Sequence, residues 1–113
     1  MTIAEIVEAV DGRITTGDRQ EHNVVFGFSS DLMSDVLTIM QDNVLLITGL
    51  ANTQTVRTAT MADIATILLV RDKHATDDMK QAAEENDVVL LETRYSMFRT
   101  SGILYAAGLK AVF

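Results

Sequence analysis

The chain has 113 residues, a formal charge of −7 at pH 7, and neither cysteine nor proline. That length supports one domain with one core, and an apolar content of 48% argues against disorder. The missing cysteines exclude disulfides and thiolate metal sites, the acidic balance offers nothing to a phosphate backbone, and the longest apolar stretch, Ile64 to Val70 broken by Thr66, is far shorter than the run of about 20 residues that spans a membrane.

In chain order, Thr2 with Glu5 fits a capping box, and Ile3, Ile6, Val7 and Val10 follow at helical spacing until Asp11-Gly12 ends the helix. Arg13 to Thr15 reads as a short strand and Thr16 to Asn23 as a polar loop. Val24 to Phe28 is a strand rich in branched and aromatic residues. Ser29, Ser30 and Asp31 are good helix caps, and Met33, Val36, Leu37 and Met40 form the apolar stripe of the helix they would start. Val44 to Thr48 is a continuous apolar strand closed by Gly49, and a helix is predicted from Asn52 or Thr53 to about Ile64. Thr66 to Val70 is the next strand. Thr76 caps a helix carrying Met79, Ala82 and Ala83, with Asn86 suited to the left-handed position after it. Val88 to Leu91 is another strand, and a last helix runs from about Tyr95 to Ala107, ended by Gly108. With no proline, turns are marked by Gly, Asn and Asp.

Unalternated apolar strands separated by helices predict a parallel sheet covered on both faces. The expected fold is α/β, three layers around a central, mostly parallel sheet of four or five strands, with residues 1–113 forming a single domain. No basic segment followed by an apolar one marks a secretory leader, so a cytoplasmic location is expected.

In such a sheet, ligands gather beyond the carboxyl ends of the strands. Four ends carry polar residues: Ser29-Ser30-Asp31, Thr48-Gly49 with Asn52 and Thr53, Arg71 to His74, and Thr93 to Ser96. Gly49 allows a tight turn against a ligand, and the free N–H groups of the following helix favour an anion. Each stretch also has a plain structural reading as a turn or an N-cap. Nothing matches a nucleotide-hydrolysing P-loop. Asp31 and Asp35 have no third ligand at helical spacing, so no metal is expected. His22 and His74 lie in polar segments and read as surface histidines, and no nucleophile sits at a telling distance from a base. The methionines on helices read as core filler, and the segment from Tyr95 to Arg99 with Ser101-Gly102 as core packing, with a dimer contact as the alternative.

Three segments together carry a family resemblance: Phe28-Ser29-Ser30-Asp31-Leu32-Met33-Ser34-Asp35-Val36-Leu37, Leu46-Ile47-Thr48-Gly49-Leu50 and Thr93-Arg94-Tyr95-Ser96-Met97-Phe98. They resemble stand-alone DRTGG-domain proteins, which are similar to the N-terminal domain of HPr kinase/phosphorylase and, through it, to that of a peptidoglycan ligase. The literal D-R-T-G-G string is absent. Asp18-Arg19 continues as Gln20-Glu21, and Thr48-Gly49-Leu50-Ala51-Asn52 keeps only the threonine and one glycine. The kinase domain is missing, so kinase activity does not carry over. What the resemblance implies is an accessory role, since family members accompany CBS domains, phosphotransacetylases and hydrogenase gene clusters, and some dimerise through this domain.

The resulting expectation is a non-enzymatic regulatory module, without cofactor, that binds a small anionic or nucleotide-like ligand and forms a homodimer. Its binding residues would be Ser29, Ser30, Asp31, Thr48, Gly49, Asn52, Thr53, Arg57 and Thr93, with Arg57 adding a full charge one turn into its helix. The competing expectation is an adaptor of a redox or metabolic enzyme complex, marked by an exposed apolar patch on the last helix.

Overall fold

Residues that repeat apolar side chains without alternation need cover on both sides, and the fold supplies it. The computed structural model describes residues 1–113. Six strands, β1 (Arg13–Thr16), β2 (Phe26–Ser29), β3 (Val44–Thr48), β4 (Thr66–Leu69), β5 (Val89–Glu92) and β6 (Lys110–Ala111), form one sheet in the order β1-β5-β4-β3-β2-β6. All neighbours are parallel except β1, which runs antiparallel to β5 with a bulge between Ile14 and Thr16.

Helices α2 (Met33–Val36), α3 (Thr53–Met61) and α4 (Asp77–Glu85) connect β2 to β5 stepwise and cover one face. Their side chains Val36, Val56, Ala59, Met79 and Ala83 pack with Val44, Leu46, Ile67, Leu69 and Leu90. Helices α1 (Ile3–Ala9) and α5 (Met97–Ala106) cover the other, where Ile3, Ile6, Val10 and Leu104 meet Leu45, Ile47, Leu68, Val89 and Leu91. Alternate residues of one strand thus serve opposite cores. The connection from β5 to β6 travels back across the whole sheet, and a right-handed crossover in that reversed direction places α5 opposite α2, α3 and α4.

Local chemistry sets most boundaries as expected. The Thr2–Glu5 capping box forms in both directions, at 2.9 and 3.1 Å, and the bond from the Thr2 N–H holds the Glu5 carboxyl below its ordinary pKa. Asn52, Thr76 and Ser96 cap α3, α4 and α5. Six non-glycine residues have positive φ, and five of them are Asp or Asn, which tolerate it best.

Some expectations need correction. The sheet has six strands rather than four or five, because the two-residue β6 joins β2 at the edge. The helix expected to reach Met40 stops at Val36. Its N-cap is Leu32, which cannot cap, because Asp31 turns away to another partner, and the Thr38 hydroxyl binds the Asp35 carbonyl at 2.7 Å in competition with the helix. The left-handed residue after α4 is Asp87, not Asn86, whose amide instead donates to the Ala82 carbonyl at 2.8 Å. Met40 and Met61 are exposed rather than core filler. No helix is long and apolar enough to cross a membrane.

Candidate functional site

The carboxyl ends of the parallel strands form one rim. At its β2–β3 end, Asp31 Oδ1 accepts the Thr48 hydroxyl at 2.9 Å and the Gly49 N–H at 2.7 Å. The parallel-strand argument correctly brings residues 29–31 and 48–49 together. Yet the donors expected for a ligand anion are held by the protein's own carboxylate. Arg71, in the turn after β4, lies over Gly49 and reaches Asp31 Oδ2 at 3.8 Å. A Cβ at position 49 would sit 2.5 Å from the guanidinium, so the close approach depends on glycine there.

The other end of the rim lies between β4 and β5. The chain leaves β4 for α4 on one face and leaves β5 for α5 on the other, so this is the topological switch point of the sheet. A cavity of about 120 Å³ opens here, with no apolar residue in its wall. At its base is Glu92, 5% exposed and missed entirely in the sequence. Its Oε1 accepts Arg13 through Nε at 3.1 Å and Nη2 at 2.5 Å, and its Oε2 accepts the Ala75 N–H at 2.7 Å. His74 Nδ1 stands 3.0 Å from Glu92 Oε1 and 2.9 Å from Arg13 Nη2, and its tautomer decides which of the two it serves. Burial pushes the Glu92 carboxyl up, but the bonds from Ala75, His74 and Arg13 outweigh it and bring the pKa from 4.5 down to about 2. His74 is exposed, as expected of a surface histidine, and it also joins this network. The α1–β1 turn closes the cavity from above: a Cβ on Gly12 would meet the Glu92 carbonyl at 2.7 Å. The turn after β4 is itself strained, with Arg71 and Asp72 both at φ 60°.

The remaining expected residues scatter. Ser30 accepts the Leu32 N–H in a tight turn at 2.9 Å. Asn52 accepts the Thr55 N–H at 2.9 Å, so the start of α3 is already capped. Thr53 and Arg57 face Asp78, Gln81 and Glu85 across a separate cleft between α3 and α4. Thr93 lines the switch-point cavity, but its hydroxyl is spent on the Val10 carbonyl at 2.7 Å. Ser29 bonds Ser101 at 2.6 Å and belongs to a different feature, an apolar groove of about 320 Å³ between α5 and the β2–β6 edge. Phe98 and Tyr105 flank that groove and are 91% and 71% exposed. Gly102 has open space beside it within the chain, so it is not packed in the core.

Fold and rim together define an open, mostly parallel α/β domain whose polar groups collect where its strands end. The DRTGG domain model matches residues 5–107, and the chain belongs to the DRTGG-domain family. No curated protein is matched. Among solved structures, the chain is similar to the regulatory region of Clostridium perfringens pyrophosphatase, which contains CBS and DRTGG domains and was crystallised with its activator, diadenosine tetraphosphate. The TM-score is 0.73 at 7% identity, a likeness of fold. The match covers 91% of this chain but only 45% of the other, so it spans less than half of that protein.

Proposed function

We propose that this domain is a non-catalytic regulatory module that binds a small anionic, nucleotide-like ligand at the carboxyl rim of its sheet, and that it acts as a cytoplasmic homodimer. The observation that carries this reading is the composition of the rim. Arg13, Arg71, Lys73 and Arg94, four of the nine lysines and arginines, meet there among the carboxylates Asp11, Asp31, Asp72 and Glu92, and Lys73 and Arg94 are the two that pair with none of these and leave positive charge available. Charge of that sign at the strand ends is where an α/β sheet holds anions. The regulatory use of a DRTGG domain beside a nucleotide activator in the Clostridium pyrophosphatase region supports the same class of ligand.

A thermal-shift screen of nucleotides and phosphorylated metabolites tests the reading. A ligand at about ten times its Kd adds roughly 1.4 kcal/mol, a rise of a few degrees in Tm for a domain of this size. No stabilisation by any such compound at millimolar concentration would contradict it.

A second reading has its own observation. Phe98 and Tyr105 point outward from α5 beside an apolar groove, which suits an adaptor docking on a hydrogenase-type or metabolic enzyme complex. Purification through a tagged chain would then return one stoichiometric partner, and recovery of the chain alone would count against it.

A further inference from the structure

We infer that the anionic group is taken at the β4–β5 switch point by Lys73 and Arg94, and that the cavity there accepts one phosphoryl-sized oxyanion. This rests on the anionic-ligand reading above and specifies where along the rim the charge is held.

Three observations single out this end. The first is the state of the donors. At the β2–β3 end, the Thr48 hydroxyl and Gly49 N–H are satisfied by Asp31, and the start of α3 is capped by Asn52, so an incoming anion would have to displace protein carboxylate and amide oxygens. At the β4–β5 end, Arg13 neutralises Glu92, and His74 Nε2 stands 3.6 Å from Asp72. Lys73 and Arg94 line the same cavity and make no ion pair with any carboxylate. Lys73 and Arg94 therefore line the cavity without an ion-pair partner, beside the carboxylates of Asp11, which pairs with nothing, and Asp72, whose one ion-pair contact is the imidazole of His74.

The second is size and polarity. About 120 Å³ with a wholly polar lining suits a single tetrahedral oxyanion and excludes a nucleoside, whose base and sugar would have to project outward along the rim toward Arg71. The third is rigidity. Glu92 is buried and clamps Arg13, His74 and the Ala75 N–H, which fixes β1, β5 and the start of α4 around the cavity before any ligand enters. Preorganised walls let two exposed side chains close on an anion without ordering the loop first.

The test is an amide NMR titration of the full chain with inorganic phosphate, against sodium chloride at matched ionic strength. The expected result is a saturable shift confined to residues 71–75 and 92–95. The Lys73→Ala/Arg94→Ala double variant should weaken it at least tenfold, Arg57→Ala should leave it unchanged, and Asp11→Asn, which keeps a residue tolerant of the φ of 50°, should tighten it. Both cationic side chains are exposed, and if the double variant loses its folded spectrum, the mapping on the unaltered chain and the Asp11→Asn effect decide. Saturable shifts centred on 31 and 48–53 would overturn this placement and leave the regulatory reading intact. Shifts that sodium chloride reproduces would overturn the placement as well. Absence of a saturable response to phosphate and to every nucleotide tried would overturn both.

Discussion

Glu92 is ionised because three neighbours hold it so, and that has a sign and a size. Its folded pKa of about 2 lies below the ordinary 4.5. The carboxylate therefore contributes stability above pH 4.5, and the contribution is lost as pH falls from there through 2. With the side chain 6% exposed, the contribution is about 3 kcal/mol. In urea melts at several pH values, Glu92→Gln should be less stable than the native chain at pH 7, with the gap narrowing toward pH 2. A gap independent of pH would contradict the network. Thr100 offers the opposite case: its hydroxyl is fully buried without a partner, so Thr100→Val should raise stability by about 1 kcal/mol. Neither residue is conspicuous in the sequence. Glu92 closes an apolar strand, and its partners Arg13 and His74 lie 79 and 18 positions away, a distance only the folded sheet closes. Asp31 is the intermediate case. Its place beside Thr48 follows from parallel strands, but its choice of the Gly49 N–H over its own helix does not.

At the scale of elements, legibility follows burial. The cores of β3, β4 and β5 lie between two helical layers and are apolar without alternation, so their type and parallel direction can be read directly. The caps at Thr2, Asn52 and Thr76 also show, because side-chain chemistry marks them locally. The short extent of α2 and the existence of β6 do not. The first loses its cap to a tertiary contact, and the second is two exposed residues whose only strand signal is the neighbour they join. Leu46, fully buried at the centre of β3, should cost about 2–5 kcal/mol when cut to alanine, measured by chemical denaturation. Helix α5 is amphipathic in an unusual sense, with Leu104 buried and Phe98 and Tyr105 exposed. If the homodimer forms through this face, Phe98→Asp should leave the fold and its Tm nearly unchanged while yielding monomer by light scattering. A dimer that survives the substitution would place the contact elsewhere.

Over the whole molecule, the architecture divides its surfaces. One direction of travel lays α2, α3 and α4 on one face, the single return crossover lays α5 on the other, and the strand ends between them are left to polar groups. An anion held there by two exposed side chains should bind more weakly as salt rises, since salt screens the attraction at exposed charges and its own anions compete for them. The most direct measurement is a crystal structure of the chain with the phosphorylated compound that stabilises it best. The account predicts density for a phosphoryl group within hydrogen-bond distance of Lys73 and Arg94. Density in the α5 groove or the α3–α4 cleft, with the strand ends unchanged, would contradict it.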